Sequence, residues 1–357
     1  MRHTIMCIDD VPINVMMLES ILEDDYDVIT ATSGAQALDR MSSEPYPDMV
    51  LLDLSMPDMD GFEVLEVMKK NKKLTDIPVI FVTGETDVFS EEKGLDLGAV
   101  DYIKKPYVPG VIKLKIRNHI ELKTYRDHLE ELVDQRTKEL MATHEAIIMG
   151  MSLLSESRDQ VTGAHIQRIK LLTNIIADKM AELEPGIFTS GMIHLITTYS
   201  ALHDVGKVGV PDAVLNKGGS LTKEEFELMK QHTAMGADLL RKVVSFLPGN
   251  QNQLNVAIDI AENHHEKCDG SGYPLGIKDD EIPIAAKIVA LADVYDALRS
   301  PRPYKNGFSH EEACKIILEG DGRTHPSHFD PRVLVAFRSI HEMMRDTFDD
   351  NQDIHMG

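Results

Sequence analysis

Several histidines and aspartates in the second half of the chain could do metal chemistry together. They are His165, the pair His203-Asp204 with Lys207 three positions on, His232, the pair His264-His265, and Asp293. Imidazole nitrogens and carboxylate oxygens suit Fe, Mn, Zn, Ni or Co. Asp204, beside a histidine, has two oxygens and can bridge two ions. Two ions ~3.5–4 Å apart can polarise a phosphodiester and activate water, so no protein nucleophile is required. A second set of candidates lies near the N-terminus: Asp9-Asp10, Asp53, Thr83 and Lys105. Three carboxylates together attract a hard cation such as magnesium. The central one can attack a phosphoryl group while the cation and a lysine neutralise the developing charge.

These residues need elements that bring them together. Over residues 1–118, short apolar runs alternate with amphipathic stretches. Strands are predicted at Ile5–Ile8, Asp27–Ala31, Asp48–Asp53, Val79–Val82 and Asp101–Ile103, with helices between them. Five such alternations argue for a doubly wound parallel α/β sheet of five strands. Asp9, Asp10, Asp53, Thr83 and Lys105 all follow or end strands, so one carboxyl edge of the sheet gathers them. Residues 119–150 are predicted as a helical linker, part of a helix that starts near 109. Leu129, Val133, Arg136, Leu140 and Ile147 trace an imperfect heptad seam along it, a possible coiled coil with a second copy. Residues 151–357 read as an all-α domain punctuated by Pro185-Gly186, Gly218-Gly219, Pro248-Gly249 and Gly270-Ser271-Gly272.

Composition narrows the function classes. A chain of 357 residues with 43% hydrophobic content has material for two or three domains. Its net charge of −22 repels nucleic-acid backbones and anionic lipid, and there is no helix-turn-helix or basic patch, so DNA binding is not expected. No apolar run is long enough for a membrane span, and the N-terminus turns acidic at once, unlike a signal peptide. The three scattered cysteines suggest neither disulfides nor a zinc knuckle, which favours a cytoplasmic setting.

Residues 1–118 resemble the response-regulator receiver domain, a flavodoxin-like fold. The resemblance is carried by Asp9-Asp10, by Leu51-Leu52-Asp53-Leu54-Ser55-Met56-Pro57 with Gly61, by Thr83-Gly84 and by Lys104-Lys105-Pro106. It implies that Asp53 accepts a phosphoryl group from a sensor histidine kinase. Asp10 and Asp53 would hold magnesium, Asp9 assisting and the Ser55 carbonyl adding a ligand. Thr83 and Lys105 would contact the phosphoryl group, and Tyr102 would be the switch aromatic.

The second half resembles the HD-GYP family of the HD hydrolase superfamily. It carries His203-Asp204-Val205-Gly206-Lys207, then Leu221 through His232, then His264-His265-Glu266 leading to Asp269-Gly270-Ser271-Gly272-Tyr273-Pro274. Ala292-Asp293-Val294-Tyr295-Asp296 and Arg302-Pro303-Tyr304-Lys305 complete the pattern. The resemblance implies one metal on His165, His203, Asp204 and Asp293, and a second on Asp204, His232, His264 and His265. Lys207 would act with Asp204 in catalysis. Arg302 and Lys305 would grip substrate phosphates, and Tyr273, Gly272 and Asp296 would shape the substrate side. Fe or Mn would serve, with Zn, Ni and Co also fitting the donors.

Two departures stand out. The family often has a glutamate four residues before the first ligand histidine, and here that residue is Val161. Valine cannot ligate, so two metals rather than three are expected. The family's frequent tryptophan before the Asp-Gly-x-Gly-Tyr-Pro run is Cys268, in a chain that has no tryptophan.

The resemblances together imply a phosphorylation-regulated, cytoplasmic homodimer that opens cyclic di-GMP to pGpG or GMP. Two alternatives remain open: another cyclic dinucleotide such as cyclic GMP-AMP, or a catalytically weak module that signals through protein partners.

Overall fold

The computed structural model describes residues 2–84, 88–158, 163–246, 252–301 and 307–351. The chain forms two compact units, Met1–Lys138 and Glu139–Gly357. In the first, β1 (Thr4–Ile8), α1 (Pro12–Leu22), β2 (Asp27–Ala31), α2 (Gly34–Arg40) and β3 (Met49–Asp53) come first. They are followed by α3 (Gly61–Lys70), β4 (Val79–Thr83), α4 (Val88–Asp96) and β5 (Asp101–Lys104). The strands are all parallel, in the order β2-β1-β3-β4-β5.

The sequence explains this sheet. β3 (MVLLD) and β4 (VIFVT) are buried along their whole length, as strands covered by helices on both faces must be. The period of two sends neighbouring side chains to opposite faces. Met6, Val50, Leu52 and Phe81 pack with Val64 and Leu65 of α3 on one face. Ile5, Leu51, Ile80 and Val82 pack with Leu18 of α1 on the other. The strand order reverses between β1 and β3, where ligands of such sheets bind. Asp9 and Asp10 follow β1, and Asp53 ends β3, at that point.

A long helix, α5, runs from Pro109 to Glu156, so the segment 119–150 is its interior. The boundary between the compact units falls at 138/139, within that segment. Ile112 and Ile116 near the start of α5 pack on the sheet. Along its middle, Leu129, Val133, Leu140 and Ile147 are all more than half exposed.

The second unit contains α6 (Gly163–Leu183), α7 (Ser190–Ser200), α8 (Asp212–Leu215) and α9 (Lys223–Ser245). It continues with α10 (Asn252–Asn263), α11 (Ile284–Arg299), α12 (His310–Glu319) and α13 (Pro331–Asp350). Helix α6 buries Ile166, Ile169, Leu172, Ile176 and Met180, a stripe at helical spacing. It shares one core with Val333, Phe337, Ile340 and Met344 of α13. Between α7 and α8, a short turn carries His203 and Asp204 against α9. A Cβ at Gly206 would lie 1.9 Å from the carbonyl oxygen of His232, so only glycine permits that approach. Among the described residues no helix is long and apolar enough to cross a membrane.

Candidate metal centre

Four histidines are held in the same way. His203 Nδ1 lies 2.9 Å from the Ser200 carbonyl, His232 Nδ1 2.7 Å from that of Met229, and His264 Nδ1 3.1 Å from that of Ile260. His165 Nδ1 lies 2.7 Å from Asp296 Oδ2. A carbonyl oxygen can only accept, so in the first three Nδ1 donates and, in a neutral ring, Nε2 keeps its lone pair. Those lone pairs converge. His232 Nε2 and His264 Nε2 are 3.5 Å apart, and they lie 3.2 and 3.7 Å from Asp204 Oδ1. His203 Nε2 lies 3.3 Å from Asp204 Oδ2 and 4.0 Å from Asp293 Oδ1.

His203, Asp204, His232 and His264 are almost wholly buried. His203 Nε2 and Asp204 Oδ1 are buried without a hydrogen-bond partner. Lone pairs facing lone pairs away from water repel unless positive charge sits between them. Burial and the neighbouring His264 hold His265 well below the ordinary imidazole value, and burial lowers His264 as well. Neutral imidazoles are the form that binds metal. Burial alone would lower His203, but Asp204 and Asp293 outweigh it and raise it to about 9. The nitrogen and oxygen donors, with His203 Nε2 and Asp204 Oδ1 buried and unpartnered, fit transition-metal ions.

One ligand atom each from Asp204, His232, His264 and His265 falls within 4.8 Å of the others. A second such group contains His165, His203 and Asp204, and its fourth member is Glu156 rather than Asp293. Glu156 ends α5 and is 3% exposed. Sequence reasoning passes over it, because one glutamate in a highly charged helix carries no local mark. Asp293 stays close through its 4.0 Å approach to His203. Lys207 Nζ lies 2.8 Å from Asp204 Oδ2.

The substrate-side expectations fare unevenly. Asp296 is buried among polar partners. It is 1% exposed, and its carboxylate is occupied by His165, Arg168 and Ser300. Its place is behind His165, orienting the imidazole. The Tyr273 ring centroid lies 4.8 Å from that of His265. Gly272 comes so close to the chain at Glu266 that a Cβ would lie 2.5 Å from its Cα. Glu266, which the motif includes without a role of its own, ties the loop down by accepting from the backbone N–H of Leu275 and Gly276 at 2.6 and 3.0 Å. Cys268, in the tryptophan position, is buried with Ile282 and Ala286 beneath this loop. Arg302, Lys305 and Val161 lie outside the described residues. A separate cluster of His310, Cys314 and His341 is knit by hydrogen bonds from Tyr295 to His310 and from His310 to His341.

The first unit gathers its acidic residues as well. Asp9, Asp10 and Asp53 each place a ligand atom within 4.8 Å of the others. Lys105 Nζ reaches Asp9 Oδ2 at 2.8 Å and Asp53 Oδ1 at 2.5 Å. Asp9 also accepts from Val11 N and from Asn14. Ser55 donates its backbone N–H to Asp53 at 3.1 Å. Burial pushes Asp53 above the ordinary carboxylate value, Lys105 opposes the rise and Asp9 adds to it. Thr83 is buried at the end of β4 and lines a small cavity with Tyr102, Leu54 and Phe81.

Known proteins share both units. A family model described as a response regulator receiver domain matches residues 5–117, and one described as an HD domain matches residues 194–333. The chain is 40% identical over 343 residues to a probable cyclic di-GMP phosphodiesterase of Vibrio cholerae serotype O1, covering 94% of this chain and 77% of the relative. It is 31% identical over 342 residues to the cyclic di-GMP phosphodiesterase response regulator RpfG of Xanthomonas campestris pv. campestris, covering 93% and 86%. A 3'3'-cGAMP-specific phosphodiesterase of Vibrio cholerae is 35% identical over 198 residues, covering 55% of this chain and 34% of the relative. With relatives matching almost its whole length, the chain belongs to the response regulators that join an N-terminal receiver domain to a C-terminal HD-GYP domain, in the cyclic di-GMP phosphodiesterase family of the HD hydrolase superfamily.

Proposed function

We propose that this protein hydrolyses cyclic di-GMP to linear pGpG, and on to GMP, at a bimetallic centre under the control of Asp53 phosphorylation. The observation that carries the reading is the convergence of imidazole Nε2 atoms on the buried Asp204 carboxylate. One ion would be held by Asp204, His232, His264 and His265, the other by His165, His203, Asp204 and Asp293. Fe or Mn fits these donors, as do Zn, Ni and Co. Bound there, the ions supply Lewis-acid stabilisation of phosphodiester charge and an activated water.

The chain's own residues do the rest. In hydrolysis a water oxygen bonds to phosphorus, the ester bond to a 3' oxygen breaks, and that oxygen takes a proton. Lys207, 2.8 Å from Asp204, is the proton donor nearest the carboxylate and would serve the leaving oxygen. Tyr273 gives a base or sugar a flat wall beside His265. Arg302 and Lys305 would grip the phosphates, since a chain of net charge −22 needs local cations to hold an anion.

Control begins at the other site. A sensor histidine kinase would phosphorylate Asp53 with magnesium on Asp10 and Asp53, and Lys105, 2.5 Å from Asp53, would meet the new charge. The exposed seam of α5 would pair with a second copy, and its rearrangement would change access to the metals. Cyclic GMP-AMP is the second reading, favoured by the similarity to the cGAMP-specific relative.

The test is turnover by the full chain reconstituted anaerobically with Fe(II) or Mn(II), with cyclic di-GMP and 3'3'-cyclic GMP-AMP offered separately beside an Asp204→Ala control. Linear product from cyclic di-GMP that vanishes in the control is expected. Turnover of cyclic GMP-AMP alone establishes the second reading. Metal binding without turnover of either dinucleotide overturns the enzyme.

A further inference from the structure

We propose that Glu156 is a ligand of the metal centre, supplying from the last turn of α5 the carboxylate that family resemblance places at position 161. This inference rests on the metal-centre reading above and adds to its ligand set.

The placement of Glu156 is specific. Its carboxylate is 3% exposed, and both oxygens are buried with no hydrogen-bond partner. Oε1 lies 3.9 Å from His165 Nε2. Glu156, His165, His203 and Asp204 each present one ligand atom, all within 4.8 Å of one another. Donors on opposite sides of an ion with bonds of ~2.0–2.2 Å stand ~4.0–4.4 Å apart, the scale of this cluster.

Neighbouring residues fasten this turn. Ser155 Oγ donates to the carbonyls of Asp204 and Val205, 3.1 Å from each. One turn earlier, Ser152 Oγ donates to the Ala201 carbonyl at 2.7 Å. The end of α5 is thus bolted to the turn that carries His203 and Asp204. Glu156 is aimed at their ligand atoms by the backbone of the element it joins.

The alternative is a carboxylate buried for structure alone. That is a costly arrangement, because an ionised carboxylate away from water needs a donor or a cation. Its surroundings here are imidazole nitrogens whose other faces are already bonded. A metal ion satisfies the carboxylate and the imidazoles together.

The two roles predict opposite signs. If Glu156 serves metal, the metal-free protein buries a carboxyl whose two oxygens have no hydrogen-bond partner. The isosteric, neutral Glu156→Gln then melts no lower than wild type when metal is stripped. With Mn(II) added, wild type gains more in Tm than the variant, because binding to the native state stabilises it in proportion to affinity.

The experiment uses the full chain as wild type, Glu156→Gln, Glu156→Asp and Asp204→Ala. Mn(II) affinity and equivalents bound are measured by calorimetry and direct metal analysis, and melts are run with and without metal. Expected is a loss of at least ~10-fold in affinity at one Mn(II) site in Glu156→Gln, retention in Glu156→Asp, and an unharmed metal-free melt. Wild-type stoichiometry and affinity in Glu156→Gln, while Asp204→Ala loses metal, overturns the inference and leaves the centre standing. So does a Glu156→Gln melt lowered equally with and without metal. A wild-type chain that binds none of Mn(II), Fe(II), Zn(II), Ni(II) or Co(II) overturns both.

Discussion

Asp296 meets His165 and Arg168 with one carboxylate: His165 Nδ1 at 2.7 Å from Oδ2, Arg168 Nε at 2.5 Å from Oδ1. This pairing fixes which imidazole nitrogen faces the metal site. A carboxylate behind a ligand histidine also makes the ring a stronger donor, and losing such a partner costs ~10–100-fold in metal affinity. Asp296→Asn is expected to weaken metal binding by that factor while the unit stays folded. Both variants leave the buried Arg168 guanidinium without its carboxylate, a loss of ~3–5 kcal/mol for a broken buried pair, and Asp296→Ala removes the hydrogen-bond acceptor as well. Metal titration of the first variant and denaturant melts of the second check this. Wild-type metal affinity in Asp296→Asn would return Asp296 to a purely structural role.

Lys207 sits where proton donation and metal binding can be separated. Its Nζ lies 2.8 Å from Asp204 Oδ2, and ammonium groups are not metal ligands. Lys207→Ala is expected to keep its metal content and lose ~10²–10⁴-fold in kcat, the usual range for a general acid. Product formation measured at matched metal loading decides it. A variant that loses metal and activity together would make Lys207 a support for Asp204 only.

Much of this architecture is legible in the sequence, for physical reasons that differ by region. β3 and β4 are runs of apolar residues bounded by polar punctuation, which admit few other readings. The candidate ligand histidines stand out through the runs His203-Asp204-Val205-Gly206-Lys207 and His264-His265, since His128, His144, His310 and His341 also neighbour a carboxylate in sequence. Asp296 misleads because it lies three positions after Asp293 on α11, and helical spacing puts both on one face. Only the packing of α6 against α11 shows that it addresses His165 from behind. Glu156 is hidden among 59 acidic residues, since its burial depends on hydrogen bonds from Ser152 and Ser155 to carbonyls about 50 residues away in sequence. Such long-range backbone contacts leave no periodicity to read.

The buried pair Lys287–Asp330 makes the second unit sensitive to acid. Lys287 Nζ lies 2.9 Å from Asp330 Oδ2, and both residues are nearly inaccessible. Asp330 Oδ1 also takes the backbone N–H of Arg332 at the start of α13. Burial opposes ionisation of Asp330, but Arg332 and Lys287 overcome it and hold the carboxyl well below its ordinary value of 3.8. A depressed carboxyl contributes stability that is full above 3.8 and is lost as pH falls through the folded value. Asp330→Asn is expected to cost ~3–5 kcal/mol near neutral pH. The gap to wild type narrows as pH drops below 3.8. Denaturant melts across that range measure it, and a gap independent of pH would show that the cap on α13, not the ion pair, carries the stability.

The exposed seam on α5 gives the last prediction. Leu129 is 57% exposed and Val133 63%, one helical turn apart on a helix with no described partner for these side chains. Burying an apolar side chain of this size contributes ~1.5–3 kcal/mol. Two of them in each of two copies offer ~6–12 kcal/mol, of the size of the ~4–15 kcal/mol that association costs, even with Arg136 interrupting the seam. Leu129→Glu with Val133→Glu removes that burial and sets like charges against each other. Each 1.4 kcal/mol is tenfold, so the dimer constant is expected to weaken by at least ~10²-fold. Sedimentation of the full chain, with and without beryllofluoride on Asp53, reads the change. A pairing constant unchanged by the double substitution would remove α5 as the dimer contact. A wild-type pairing constant and hydrolysis rate indifferent to beryllofluoride would remove it as the route from Asp53 to the metals.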